Sequence, residues 1–306
     1  MRIINHRIAP GGCLELHEAS FSDGAEPSLV VVAGAGRGGV LRVDARVAAV
    51  WLPLRGRVQF GTGPDHGVSA GEACVGEAEA HLRVVGRGNA IWVAVLGTPA
   101  AWRRALATRM DTPALDPLLL PARHAAGRDL RRCGVALARA TLAADTSVAV
   151  DRFLEQLLAL QQPFSGAIAR CPGRSYAQRR QVFLRMQRVR NYLAVNCHLD
   201  LDNDALARMA SYSPWHFIRA FRNAYGETPH AYLIRQRLER AQRLLRTSPL
   251  AIAEVATASG FENRCAFSRL FRQRFGRTAL ELRREGAMRA AAIEGNAQLR
   301  QRIAPV

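Results

Sequence analysis

Lysine is missing from the chain: all 43 basic residues are arginine. A GC-rich coding bias accounts for that preference, so by itself the absence excludes little. Cysteine is sparse, and the six thiols (Cys13, Cys74, Cys133, Cys171, Cys197, Cys265) include no C-x-x-C pair. That spacing argues against a disulfide framework or a zinc site and fits isolated buried thiols in a reducing compartment. No apolar run reaches the roughly 18 residues that a membrane span needs. The opening Met1-Arg2-Ile3-Ile4-Asn5-His6 lacks the apolar core of a secretory signal. The expectation is a cytoplasmic protein with no membrane partner.

Acidic residues are scarce where arginine is dense. Residues 174–306 hold 24 arginines against 10 acidic groups, and residues 1–173 hold 19 against 15. A segment this basic attracts a polyanion, of which nucleic acid is the commonest. Charge alone leaves RNA and an anionic membrane surface open.

A chain of 306 residues suggests two domains, each able to bury a core. Residues 1–97 carry short apolar runs: Leu29–Ala33, Val47–Leu52, Val58–Phe60, Leu82–Val85 and Ile91–Leu96. Glycine-rich turn signals at Gly36–Gly39, Gly61–Gly67 and Gly86–Gly88 separate them, a pattern that predicts a small barrel or sandwich. From Pro99 the periodicity turns helical, over Ala100–Met110, Arg128–Ala144 and Val148–Leu160. The broad apolar face of the last is suited to packing on the barrel and against a second copy of the chain. Gln161–Ser175, with Pro163, Gly166, Pro172 and Gly173, reads as a linker and leads into an arginine-rich helix.

An internal repeat decides the reading. Phe217–Thr228 (FIRAFRNAYGET) and Phe267–Thr278 (FSRLFRQRFGRT) align at a constant offset, matching Phe217 with Phe267, Arg219 with Arg269, Phe221 with Phe271, Arg222 with Arg272 and Gly226 with Gly276. Each copy carries helix-turn-helix punctuation. In the first, a helix over Asp202–Ala210 precedes the turn Ser211-Tyr212-Ser213. Ser213 is placed as an N-cap, Pro214 as first helical residue and Gly226 as the stop. In the second, Pro249–Ala258 leads through Gly260 and Phe261 to a helix over Arg264–Phe275, capped by Asn263 and ended by Gly276. A long helix, Pro229–Arg246, joins the two.

In this arrangement Phe217, Phe221, Phe267 and Phe271 face the core. Trp215, His216, Ile218, Arg219 and Arg222 face outward or beside the outer face in the first unit, and Arg264, Cys265, Ser268, Arg269 and Arg272 do so in the second. An α-helix fits the major groove, where arginine can donate two bonds to guanine. Arg219 and Arg269 are the candidate base readers. Arg222 and Arg272, a turn further along, are the candidate phosphate contacts. A lone outward arginine is usually a solvated face; the repetition on two capped helices favours double-stranded DNA.

These residues resemble the AraC/XylS family. Leu206-Ala207, Ser213 and F-x-R-x-F-R-x-x-Y-G-x-T-P at Phe217–Pro229 carry the likeness, as do Ile252-Ala253-Glu254-Val255-Ala256, Gly260-Phe261 and Phe267–Arg272. It extends over Val182–Glu285 and departs at Ala279, Cys265-Ala266 and Ile218. The resemblance implies a seven-helix DNA-binding domain and activation through RNA polymerase. It also implies an N-terminal cupin-like barrel sensing a small-molecule effector, for which Trp51, Phe60 and Trp92 are the candidate pocket residues. The expected fold is α+β. A cupin-like small β-barrel with trailing helices (residues 1–160) and a basic linker (161–181) precede an all-α domain of two helix-turn-helix units joined by a long helix (182–285), and a tail (286–306) follows. His66 and His81 stand apart, so no metal, cofactor or catalytic residue is expected. A homodimer, an enzymatic barrel and a nonspecific architectural DNA protein remain as alternatives.

Overall fold

A computed structural model describes residues 2–24, 26–61, 67–78, 81–107, 119–142 and 146–285. The expected tail, His66 and the ends of two expected helices (108–110 and 143–144) lie outside them. The chain divides into two compact units, residues 1–187 and 188–306.

The first unit is built on a mixed sheet. Its strands are β1 (Ile3–Ile8), β2 (Cys13–His17), β5 (Leu29–Ala35), β6 (Val40–Asp44), β7 (Val47–Phe60), β8 (Gly67–Ser69), β9 (Glu72–Ala78), β10 (Leu82–Gly97) and β11 (Ala122–Ala125). Two-residue strands β3 (Ser22–Asp23) and β4 (Glu26–Pro27) form a separate ribbon. The main path runs β1-β5-β10-β7-β9-β11, with β6 pairing β10 and β2, and β8 pairing β7.

Two pairs of expected strands are each one long strand. The glycines at 86–88 do not turn the chain. They sit inside β10 at a register shift between Arg87 and Ile91, where Gly88 takes φ +64°. A bulge bends a strand while leaving its pairing on either side intact. The two halves of β10 accordingly pair with different strands: Leu82–Val85 with β6, and Ile91–Leu96 with β5.

The sheet is buried on both faces, which explains why β5 reads as an unbroken apolar run rather than an alternating one. Leu29, Val31, Val50, Leu52, Val93 and Val95 face helices α1 (Pro99–Ala107), α2 (Arg128–Ala140) and α3 (Ser147–Gln161). The alternate residues, Val30, Val32, Ala49, Trp51, Trp92 and Ala94, face β2, β6 and the far end of β7. Trp102 of α1 donates its indole N–H to the Ala48 carbonyl at 2.8 Å, so the buried ring leaves no polar atom unpaired.

The expected closed barrel is not formed. Among the described residues no pairing joins β11 back to β1, and the sheet is open. The outer face is occupied by helices, and the inner face closes on its own curled strands rather than through a ring of hydrogen bonds.

The expected linker is partly helical. Pro163 opens α4 (Pro163–Arg170), which buries Ala167 and Ile168. Gly166 costs that helix about 1 kcal/mol without breaking it. The next helix, α5 (Tyr176–Asn196), starts at a reciprocal cap. Gln178 N–H donates to Ser175 Oγ at 3.2 Å, and Ser175 N–H donates to Gln178 Oε1 at 3.3 Å.

The second unit continues from within α5 through α6 (Asn203–Met209), α7 (Pro214–Tyr225), α8 (Pro229–Thr247), α9 (Ile252–Ala258) and α10 (Arg264–Phe275). Residues 279–285 are again helical. Phe217, Phe221, Phe267 and Phe271 are fully buried, as their spacing requires. Removing any one to alanine would cost about 3–5 kcal/mol.

Candidate nucleic-acid interface

The two outward helices are held by matching devices. Gly226 ends α7 at φ +76° and Gly276 ends α10 at φ +69°, each donating its N–H to the carbonyl four residues back, Arg222 or Arg272. The left-handed conformation falls to glycine in both because it has no Cβ to clash.

The starts of the helices differ. Asn263 Oδ1 accepts from Cys265 N at 2.9 Å and Ala266 N at 3.0 Å, as expected of an N-cap. Ser213 occupies the N-cap position of α7 in extended backbone but makes no cap bond. Its hydroxyl lies 2.7 Å from His216 Nδ1, one turn along, instead.

The turns differ by one residue. In the first unit Tyr212 N–H donates to Ala207 O, and in the second Phe261 N–H donates to Ala256 O, which makes Ser211 the counterpart of Gly260. Ser211 takes φ +59° and Gly260 φ +91°. Glu262 is the extra residue before the second recognition helix.

Every expected DNA-facing residue lies on α7 or α10. Trp215, His216, Arg219 and Arg222 are exposed on α7, and Ile218 is half-buried beside them. Arg264, Cys265, Ser268, Arg269 and Arg272 are exposed on α10. Trp215 is 62% exposed, with its ring edge-on to His216 at a centroid distance of 5.1 Å. Its face holds the Arg219 guanidinium 5.4 Å from the ring centroid. Ser268 turns its hydroxyl back onto the Arg264 carbonyl at 3.0 Å, which consumes its proton and leaves lone pairs outward.

Among the described residues, Arg219, Arg222, Arg264 and Arg269 make no ion pair. Three arginines of α8 are committed to the fold, while Arg243 and Arg246 are exposed. Arg235 meets Glu227 at 2.7 Å and Glu239 at 3.3 Å. Burial opposes its charge, yet the Glu227 hydrogen bond and the two carboxylates outweigh this and raise its pKa. Arg237 donates to the carbonyls of Cys197 at 2.7 Å and Leu199 at 2.9 Å, and Arg240 to that of Ala258 at 3.1 Å. Arg190 lies over Tyr225 at 4.9 Å and Tyr232 at 5.3 Å. The sequence reading missed these four. The i,i+4 spacing of Arg235 and Glu239 was the available signal.

In the first unit Trp51 and Trp92 are buried and Phe60 half-buried, and the three rings pack together at centroid distances of 5.3 and 6.1 Å. Gly34 makes room for this cluster: a Cβ there would fall 2.3 Å from the Trp92 ring. His81 pairs with Asp44 at 3.1 Å. Among the described residues no group of three or more His, Cys, Asp or Glu is placed to hold a metal, and no helix is long and apolar enough to cross a membrane.

Two small helical units, each ended by a left-handed glycine and joined by a single long helix, define a double helix-turn-helix domain. A family model described as a helix-turn-helix domain matches residues 206–285. The regulatory protein SoxS of Escherichia coli K12 is 35% identical over 88 residues, which cover 28% of this chain and 82% of that protein. The probable transcription factor PqrA of Proteus vulgaris is 32% identical over 85 residues, covering 28% of this chain and 70% of PqrA. The chain belongs to the AraC/XylS family of transcription regulators, with an AraC-type DNA-binding domain at its C-terminal end. The regulator GlxA of Rhizobium meliloti strain 1021 is 45% identical over 85 residues, a stretch spanning only 26% of that protein. The DNA-binding domain of AdpA, solved with a target DNA, is 34% identical at a TM-score of 0.33, covering 34% of this chain and 94% of that one.

Proposed function

We propose that this chain is a sequence-specific regulator that binds double-stranded DNA by inserting α7 and α10 into the major groove, with Arg219 and Arg269 reading bases. One observation carries the reading. Equivalent arginines, Arg219 and Arg269, on two helices ended by matching glycines stand exposed and without carboxylate partners, whereas Arg235, Arg237 and Arg240 of the connecting helix are bonded within the fold. Guanidinium groups left unpaired on a helix surface have the fork geometry that guanine O6 and N7 accept. Arg222, Arg264 and Arg272 supply phosphate contacts, and Trp215 supplies an apolar surface for a thymine methyl.

The reading extends to control. It takes in a small molecule acting on the N-terminal unit and activation through RNA polymerase; the relative named transcriptional activator NphR, from Rhodococcus, is 37% identical over 103 residues and supports the activating sign.

An unbiased selection of duplexes by the full chain tests the proposal. The expected result is one enriched sequence bound about 10³-fold or more tightly than random DNA. No enrichment would reduce the protein to a nonspecific binder.

A further inference from the structure

We infer that a chain of ion pairs running from Glu227 through Arg235 and Glu239 to Arg274 holds α7 and α10 at one mutual setting, and so fixes the gap between the two base segments that the protein accepts. This rests on the DNA-binding reading above, and every residue in it belongs to the second compact unit.

The chain of pairs begins where α7 stops. Glu227 lies between Gly226, the C-cap of α7, and Thr228, the N-cap of α8. Its carboxylate accepts two bonds from Arg235, from Nη2 at 2.7 Å and from Nε at 3.4 Å. Arg235 Nη1 donates to Glu239 Oε1 at 3.3 Å. That same oxygen lies 3.8 Å from Nη2 of Arg274, near the end of α10. Gln236 Nε2 donates to Oε2 of Glu239 at 3.1 Å, so both oxygens of this carboxylate are engaged.

Each recognition helix packs on its own stretch of α8. Phe221 of α7 meets Tyr232 at a centroid distance of 5.9 Å, and Phe267 and Phe271 of α10 share a core with Leu238, Ala241 and Leu245. Apolar burial of this kind gives cohesion without direction. A two-point guanidinium–carboxylate pair fixes an orientation as well. The Arg235 guanidinium also lies over the Tyr232 ring, 4.8 Å from its centroid, which ties the pairs to the core beneath α7. Arg235, Glu227 and Glu239 are 30%, 29% and 31% exposed, so salt screens them less than it screens a pair on the open surface. The internal repeat does not account for these residues. The repeat partners of Glu227 and Arg274 are Arg277 and Ala224. The bridge therefore belongs to the joint between the two helix-turn-helices rather than to either copy.

The test uses the full chain and the duplex it selects, with one base pair inserted or removed between the two recognised segments. One pair turns the second segment by about 35° around the duplex. Glu239→Gln and Arg274→Gln should each narrow the affinity ratio between the selected and altered-gap duplexes by about threefold or more. The ranking of single-base variants should stay unchanged, and Arg274→Lys, which keeps the charge, should retain the wild-type ratio. A second readout needs no DNA. Spin labels are placed at Ala205→Cys on α6 and Gln273→Cys on α10, both exposed positions, with Cys13 and Cys265 changed to serine. The distribution of label distances should be broader with Glu239→Gln or Arg274→Gln than with neither.

An unchanged ratio or an unchanged width, in variants that melt like the wild type, overturns the inference. So does an Arg274→Lys variant that behaves as glutamine does. If Glu239→Gln melts early, Arg274→Gln, which leaves both pairs of Arg235 in place, decides alone. If the wild type selects no duplex, the base-reading proposal fails by itself and the label distances decide the bridge: broader distributions in the glutamine variants keep it, and equal widths sink it.

Discussion

A Cβ added to Gly260 would lie 2.8 Å from Nε of Arg237, the same nitrogen that donates to the Cys197 carbonyl at 2.7 Å. It would also fall 2.8 Å from that carbonyl oxygen. The turn of the second helix-turn-helix, the end of α5 and the middle of α8 meet at this point, and the guanidinium closes it. Gly260→Ala adds a left-handed-backbone penalty at φ +91° to an overlap that no flexible tip can relieve. The expected loss is about 2–4 kcal/mol, read as a lower melting temperature of the chain's C-terminal unit with the N-terminal unit unmoved.

The counterpart position predicts the opposite sign. Ser211 holds φ +59° with a side chain present, a conformation L residues adopt at a cost. Ser211→Gly removes that cost while loosening the unfolded chain, for a net gain of about 0.5–1 kcal/mol. Thermal unfolding of the two variants side by side checks both; a Ser211→Gly variant less stable than wild type would mean that the hydroxyl makes a contact the fold needs.

The base-reading proposal separates two kinds of arginine on the same helices. Arg219→Ala and Arg269→Ala should each cost about 1–3 kcal/mol on the selected duplex and relax preference at one base position. Arg222→Ala and Arg272→Ala should weaken all sequences alike and lower the salt slope by about one. A competition series against single-base variants of the site distinguishes the outcomes. If Arg219→Ala lowers affinity without changing the ranking of bases, the groove assignment is wrong.

The second unit was legible because its constraints are local and doubled. The cores of α7 and α10, their glycine stops and the Asn263 cap depend on residue types at fixed offsets, and the repeat presented each pattern twice. The first unit was less legible for a physical reason. Glycine signals a turn and a bulge by the same freedom at positive φ, so Gly86–Gly88 read as a chain reversal when it is a bend within β10. The edge strands β1 and β2 carry polar residues between apolar ones and pair only at long range, so no local pattern announced them. Ser213 shows the limit even within the repeat: its cap position was readable, but its bond to His216 depends on a rotamer.

Thr278 and Glu281 form a reciprocal cap on the last described helical turn. Thr278 N–H donates to Glu281 Oε2 at 2.7 Å, and Glu281 N–H donates to Thr278 Oγ1 at 3.2 Å. The bond from the Thr278 amide, then that from its hydroxyl, lowers the Glu281 pKa from its ordinary 4.5. A depressed folded-state pKa stabilises fully above the unfolded value and is lost as pH falls through the folded one. Hydrogen-exchange protection of residues 279–285 should therefore be flat at neutral pH and decline on acidification below the ordinary glutamate range. Glu281→Gln should remove that pH dependence, and a decline that persists in the variant would assign it to another group.

The thiols give a map of burial that also tests the interface. Burial, offset in part by Arg170, pushes the Cys171 thiol up to about 11, and burial likewise raises Cys197. Both are buried, whereas Cys13 and Cys265 are exposed. Alkylation follows the thiolate and its access, so at about pH 8 the native chain should label at Cys13 and Cys265, and at Cys171 and Cys197 only after denaturation. Cys265 stands on α10 between Arg264 and Arg269, on the face assigned to the groove. The selected duplex should slow its alkylation and leave Cys13 unchanged, and prior alkylation of Cys265 should weaken binding. Peptide mass spectrometry with and without duplex reads both effects. Equal labelling of Cys265 in the bound and free protein would remove α10 from the groove, whatever the affinity of the complex.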